Sequence, residues 1–505
     1  MLFTEKYDDQ ISSVLNCFDR VLIQGTIPGI CYADGMTSYL YFKKIRIFDY
    51  PQFVAPFRDE LRNNAEAIAS KNEIEIQFLP KKNVRKEKII EEIIKKRGDH
   101  PGLVHILSAM ESCPSYKPWH NKKTGKTYLK YVTAKCLHYY FYIIDEDLGL
   151  CYVRVPTWCP FRLQIYFNGH NVVKSAMDHE GIQYEMRDNA FLQTESFEST
   201  QKIADDLDIS HLHEKLNEFA NTYCPVLQHF SPAEYHWSIM QIEYATDIVF
   251  KRQEDLKHIY ENLTRTAIHT VKPENIATFL GRKVHPLYQD EIGNNFSTRI
   301  EGTCIKFKMG PTSIKMYDKF GIILRIETTT NDLSFFKHYR KVEHRDGTTS
   351  QKLASMKKGI YSMGPLQDIL LSANKRFINF LSDIIDPTVG IKKLDKVSKT
   401  VIENDRPFKG FNFFSREDLT IVEAIISGEF TISGFQNKNL REKLKDYSSS
   451  QVSRILKRLH THGLIKKVAH TYKYYITRLG SQVITMALKL REMVIIPELT
   501  VDFEC

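Results

Sequence analysis

The nine cysteines form no C-x-x-C pair, and their number is odd and their spacing scattered. This excludes a zinc ribbon, argues against a disulfide scaffold, and fits reduced thiols in a cytosol. No apolar run approaches the ~20 residues that cross a bilayer; Gly321-Ile322-Ile323-Leu324 is typical of the longest. The amino terminus, Met1-Leu2-Phe3-Thr4-Glu5-Lys6, lacks a basic region followed by an apolar stretch, so no secretory signal is expected. A cytoplasmic protein with no membrane partner follows. Gly125-Lys126-Thr127 ends like a phosphate-binding loop, but His120 stands where that loop requires glycine, which argues against a P-loop ATPase. His100, His105, His120, His138, His170 and His236 have no cysteine at zinc-ligand spacing, and there is no internal repeat.

What is present is length, ordinary apolar content and unevenly placed charge. At 505 residues, 42% apolar and 26% charged, the chain is too long for one core and suits several domains. The net charge is +9, yet 415–495 alone holds 14 Lys and Arg against 7 Asp and Glu. A localised basic surface of that kind is the footprint of a polyanion partner.

The pattern predicts an α+β chain: a mixed α/β, multidomain amino-terminal region followed by a winged helix-turn-helix. Strands at 19–26, 74–79 and 103–107 alternate with helices at 53–72 and 86–97, an order that favours an α/β layer over 1–195. A basic loop is expected at 116–126, then a hairpin of 138–144 and 150–155, a strand at 162–167 and a helix at 172–180 capped near Asn168. Residues 196–385 read as a helical region, including a long pattern over 235–263, interrupted by a β-rich patch at 296–327. Residues 386–413 suit a linker, and 414–497 the winged helix.

In that last segment Ser415 and Asp418 sit where caps belong, and Ser448–Ser450 precede a third helix. Val452, Ile455, Leu456 and Leu459 would form its buried face. Ser449, Ser450, Gln451, Ser453, Arg454, Lys457 and Arg458 are left for DNA, since Gln and Arg offer bidentate bonds to base edges and Ser and Lys reach phosphates. Lys466, Lys467, His470 and Lys473 would decorate a hairpin along the backbone. The stretch resembles the winged helix of MarR-type regulators, including Tyr474-x-x-Thr477-x-x-Gly480. The whole chain, from Cys17-Phe18-Asp19-Arg20 through Lys315-Met316-Tyr317-Asp318-Lys319 to Leu488–Met493, resembles a widespread group of bacterial proteins of about this length that end in such a module. The resemblance implies DNA binding and leaves the long preceding region unexplained.

That region has its own candidate chemistry. Ile314–Gly321 followed by Leu324-Arg325-Ile326-Glu327 packs Lys, Tyr, Asp, Arg and Glu into one hairpin. Tyr317 beside cations could attack a phosphodiester, with Lys and Arg expected to lower its pKa. The spacing is similar to a strand pair of some plasmid replication initiators that nick DNA through tyrosine. Asp19, Asp145 and Glu327, each at a strand end, could instead converge on Mg²⁺, the one cofactor the sequence suggests. His211-Leu212-His213 matches a metal motif only formally, because on a helix residues two apart do not face each other. Aromatic and basic residues interleave at 116–126 and 336–341, a mixture that suits stacking on single-stranded bases. The reading is therefore a DNA-binding protein, of a mobile genetic element or its regulation. A metal-dependent nicking or strand-transfer enzyme, or an RNA-binding ribonucleoprotein component, is the alternative. Oligomeric state is left open, a dimer being one form.

Overall fold

Long stretches of β-branched and aromatic residues make one sheet the organising element of Met1–Ile385. The computed structural model describes residues 2–80, 84–230, 233–282, 292–299, 302–385, 387–426, 430, 434–468, 471–496 and 499, in two units, Met1–Ile385 and Asp386–Cys505. The strands in chain order are β1 (Ile11–Thr26), β2 (Ile76–Phe78), β3 (Gly102–Asn121), β4 (Lys126–Asp145), β5 (Gly149–Pro156), β6 (Leu163–Asn168), β7 (Tyr184–Met186) and β8 (Phe191–Thr194). They continue as β9 (His236–Phe250), β10 (Ile292–Arg299), β11 (Gly302–Met309), β12 (Thr312–Lys319) and β13 (Ile323–Thr330). Eleven of them form a single sheet in the order β10-β11-β12-β13-β9-β1-β6-β5-β4-β3-β2. Only β2 and β3 run parallel, joined by the helix Lys86–Arg97; the other neighbours are antiparallel.

The fold is mixed α and β, but several expectations change. The β-α-β order favours an α/β layer over 1–195, and the structure has one parallel β-α-β pair at the edge of an otherwise antiparallel sheet. The helical pattern over 235–263 is broken: 236–250 is a central strand, and the helix begins only at Gln253. Flanked by β1 and β13 and covered on both faces, β9 carries an almost continuous buried run that periodicity alone cannot separate from a helix. The loop expected at 116–126 is the end of a 20-residue strand and its hairpin turn. No domain boundary falls at 195, since β1 is bonded to β6 on one side and β9 on the other. The linker expected at 386–413 contains the helix Pro387–Ser398 and the paired segments Val401–Glu403 and Arg406–Phe408.

One face of the sheet is apolar. Val21, Ile23, Val153, Ile165, Ile242, Tyr244, Ile248 and Ile326 point there and pack with the helices Tyr50–Lys71, Ile209–Tyr223, Gln253–Thr270 and Met363–Ile385. Strand alternation sends the intervening residues to the opposite face. There the small hairpin β7–β8 and the helix Gly169–Glu180 cover the lower half of β1, with Leu15, Cys17, Val173, Met177 and Phe191 buried between them. The helix approaches β1 closely because Gly169 lacks a side chain: a Cβ there would lie 2.1 Å from the Phe18 carbonyl oxygen. Asn168 caps the helix by accepting from the His170 N–H at 2.8 Å.

In Asp386–Cys505 the helices Arg416–Ile425, Asn437–Lys443 and Ser449–Thr461 precede a short antiparallel pair, Ile465–Lys467 with Tyr474–Ile476, and the helix Arg478–Leu490. Ser448 caps the third helix, and Val452, Ile455, Leu456 and Leu459 are buried, as the spacing predicts. His470 lies outside the described residues. Gly169→Ala is expected to cost about 1–3 kcal/mol through forced displacement of helix from strand. The check is the urea midpoint of unfolding; an unchanged midpoint would show that the contact yields freely.

Candidate functional site

The polar face of the sheet carries a buried cluster of carboxylates and cations where β12, β13, β9 and β1 lie side by side. A β-bulge sets its geometry. Phe18 pairs with Tyr244 and Val21 with Ile242, so Asp19 and Arg20 together oppose the single residue Glu243. Such an insertion re-aims side chains, and Asp19 here turns into the sheet face while Arg20 stays exposed. Glu243 and Asp247 project from β9, Arg325 and Glu327 from β13, and Lys315 and Tyr317 from β12. Register aligns Tyr317, Arg325 and Asp247 in one cross-strand row, and Lys315 with Glu327 in the next.

One oxygen each from Asp19, Glu243 and Glu327 lies within 4.8 Å of the others, and all three residues are buried. The Tyr317 hydroxyl donates to Glu327 Oε1 at 2.6 Å. Lys315 Nζ ion-pairs with Glu327 Oε2 and stands 3.5 Å from Glu243. Arg325, with 0% of its side chain exposed, donates to both Asp247 oxygens, to one of them at 2.6 Å, and also to the Asn189 carbonyl. Its Nη1 lies 3.8 Å from Asp19 and 3.6 Å from Glu327. Asp19 accepts from Asn168 Nδ2 at 2.7 Å and from Asn189, with His170 Nδ1 at 3.4 Å. Lys315 and Tyr317 are partly exposed and open the cluster to solvent.

These surroundings drive the carboxyls apart. Burial raises Asp19, but the His170 hydrogen bond and the Arg325 charge outweigh it and hold Asp19 well below the usual carboxylate range. Asp247 is likewise raised by burial and then pulled down to about 2, chiefly by Arg325. Glu327 goes the other way: burial raises it, and Lys315 offsets only part of that. The Tyr317 hydroxyl is raised by burial and by the Glu327 charge, against the expectation that its cations would lower it. The Tyr317 hydroxyl thus stays protonated and bonded to a carboxylate that could accept its proton.

Asp19, Glu327 and Tyr317 are therefore brought together, and Asp145 is not. Asp145 Oδ1 caps its own turn, accepting from the Asp147 and Leu148 N–H groups at 3.0 Å each, and its other oxygen pairs with Lys215 at 3.3 Å. Carboxylates at strand ends serve turns as readily as metals. Glu243, Asp247, Asn168, Asn189 and His170 were missed. Glu243 and Asp247 fell in the segment read as helix, where a run buried on both faces leaves no period to mark the strand. His211 and His213 point apart on their helix, to Asp147 at 3.1 Å and Tyr361 at 3.0 Å.

Of the patches read for single strands, Tyr116 and Phe336 are buried, while Trp119 and Tyr339 are exposed. Tyr339 sits on a basic two-stranded ribbon, Lys337–Glu343 with Thr349–Ser355.

In the second unit, Ser449, Ser450, Gln451, Ser453, Arg454, Lys457, Lys466 and Lys467 are exposed and Lys473 is half-buried. Gln451 is partly committed to the cap, accepting from the Ser448 N–H at 2.8 Å, and Asn437 donates to Ser453 at 2.8 Å. Lys457 pairs with Glu403 at 2.6 Å. Arg458 departs from expectation: it bonds both Asp418 oxygens at 2.7 and 3.0 Å and the Lys409 and Gly410 carbonyls, and lies over Phe411. It is a packing residue; Asp418 pairs with it and also accepts from the Asn412 N–H at 2.8 Å, while Ser415 is the cap.

Comparison with models of protein families, with curated proteins and with solved structures finds no match for this chain.

Asp247→Leu is expected to cost roughly 3–5 kcal/mol near neutral pH by removing the carboxylate that accepts two hydrogen bonds from the buried Arg325. The folded-state pKa of Asp247 is depressed, so its stabilisation is complete above the unfolded value near 4 and fades as pH falls towards about 2. Denaturant melts across pH should show the gap between wild type and variant closing in that window; a pH-independent gap would contradict the assignment.

Proposed function

We propose that the protein nicks DNA by metal-assisted transesterification, with Tyr317 as nucleophile, and holds duplex DNA through a winged helix in its carboxy-terminal unit. The observation that carries this reading is the Tyr317–Glu327 hydrogen bond of 2.6 Å within reach of three converging carboxylates. Asp19, Glu243 and Glu327 offer the oxygen ligands that Mg²⁺ prefers. When bound, the ion supplies positive charge to the phosphate undergoing attack.

The chain's own groups do the rest. Glu327 takes the Tyr317 proton as the phenolic oxygen bonds to phosphorus. The phosphorus–oxygen bond to the departing strand breaks, and Lys315, at the open side of the cluster, gives that sugar oxygen its proton. The product is a tyrosyl phosphodiester, and no oxidant or nucleotide is consumed. Arg325 and Asp247 position Glu327 and Tyr317 without meeting substrate.

Tyr317→Phe and Glu327→Gln should each lower cleavage of single- and double-stranded DNA in Mg²⁺ by about 10²-fold or more. Tyr317→Phe should also abolish the covalent protein–DNA species on a denaturing gel. If wild type cleaves nothing, or Tyr317→Phe cleaves normally, the proposal fails.

The winged-helix half rests on helix order, the exposed Arg454 and the basic strand Ile465–Lys467. Arg454→Ala should weaken duplex binding roughly tenfold and leave the melting curve unchanged. Arg458→Ala should instead lower the melting temperature, because Asp418 loses its partner. Equal DNA affinity of Arg454→Ala and wild type at physiological salt would remove Arg454 from the interface.

A further inference from the structure

The same polar face holds a cavity of about 460 Å³ that the cleavage reading leaves unused. Its floor is one cross-strand row: Tyr140 on β4, Arg154 on β5, Gln164 on β6 and Gln24 on β1 are direct register partners. Trp158 and Arg162 stand at its wall. The volume falls within the roughly 300–1,000 Å³ of small-molecule and cofactor sites.

Its chemistry is specific. Glu111 is already neutralised, by Arg154 at 2.7 Å and Lys86 at 2.9 Å. With Arg162 added, the charged lining is net positive. His138 is pushed down to about 4, chiefly by burial, so it lines the cavity as a neutral ring. Gln164 Oε1 accepts from Arg154 Nη1 at 3.0 Å, and the amides of Gln24 and Gln164 lie side by side as register partners, a donor and acceptor pair of the kind that reads the edge of a base. Trp158 and Tyr140 add aromatic surface on which a base stacks.

Its position ties it to the carboxylate cluster. Along β1, Gln24, Leu22 and Arg20 share the polar face, and along β6 so do Gln164, Tyr166 and Asn168. Four residues of strand, about 13 Å, separate Gln164 from Asn168, which bonds Asp19. Between them Tyr152 and Tyr166 stack with centroids 5.1 Å apart, and exposed Arg20 lies over Tyr166 at 5.7 Å. Cationic and aromatic groups thus line the way from cavity to cluster.

We infer that this cavity takes an unpaired base of single-stranded DNA, a few nucleotides from the phosphate presented to Tyr317. The substrate is then a strand read by sequence at the pocket, and the cavity deepens the cleavage reading on which it rests. Duplex DNA would have to open first, because the pocket reaches only an unstacked base.

The test uses the full chain in EDTA, so that binding is seen without cleavage. Short fluorescent single-stranded DNA oligonucleotides differing at each position in turn are titrated against wild type and the double variant Gln24→Ala, Gln164→Ala. The expected result is a base preference at one position in wild type, and in the variant a loss of roughly ten- to a hundredfold in affinity for the preferred strand. A 5-bromodeoxyuridine at that position should photocrosslink to Trp158 or Tyr140 in wild type, a readout that a folding defect in the variant does not touch. Equal affinities with crosslinks elsewhere would overturn the inference, as would tighter binding of the same sequence as RNA. Protein that binds and crosslinks as expected yet never cleaves would refute Tyr317 chemistry and spare the pocket. Cleavage that ignores both glutamines would do the reverse.

Discussion

A guanidinium shut away from water needs opposite charge and acceptors around it, and Arg325 faces residues from four separate parts of the chain. Asp247 comes from the neighbouring strand, the Asn189 carbonyl from the β7–β8 turn, Asp19 from the bulge in β1, and Glu327 from its own strand. Removing an ion from water costs several kcal/mol even after relaxation, and only close, multiple partners repay it. The arrangement therefore fixes strand register, bulge and covering hairpin together. A slip of β13 by one residue would send Arg325 into the apolar layer and expose Ile326 in its place.

That constraint explains why the site lies in the middle of a sheet rather than at a loop. Eleven strands give an extended platform, and helices cover its apolar face. The opposite face is free to carry charge because the small hairpin and the helix from Gly169 cover only part of it. For the proposed cleavage, a platform of this kind would keep the reacting groups in place before substrate arrives. The same buried ions that cost stability also drive these carboxyls apart, Asp19 and Asp247 downward and Glu327 upward.

Several signals in the chain were read correctly because a local cause produced them. The helix Lys86–Arg97 ends at Gly98, which adopts a positive φ, and the β12–β13 hairpin turns at Phe320-Gly321 for the same reason. The buried stripe Val452, Ile455, Leu456, Leu459 follows from period alone. Errors cluster where a segment is buried on both sides. In β9 apolar residues fill both faces, so neither a period of 2 nor one of 3.6 stands out, and Glu243 and Asp247 share a face in either conformation. Misreading that strand removed half of the carboxylate cluster. Arg458 was misassigned because basic character alone does not tell a groove-facing side chain from one that packs on Phe411 and Asp418.

By itself the sequence determined the alternation that places Lys315, Tyr317, Arg325 and Glu327 on one face of a hairpin, the caps and turns at its joints, and the concentration of basic residues near the carboxy terminus. These depend on neighbours a few residues apart, where rotamers, φ values and helical or strand period decide. Only the tertiary structure decided that Asp19 and Glu243 join that hairpin while Asp145 stays with its turn, and that a row across β4, β5, β6 and β1 encloses a cavity. Those outcomes depend on strand order and on one extra residue in β1. Pairing between segments more than 200 residues apart is set by the total burial and charge matching of the sheet, not by any short stretch of the chain.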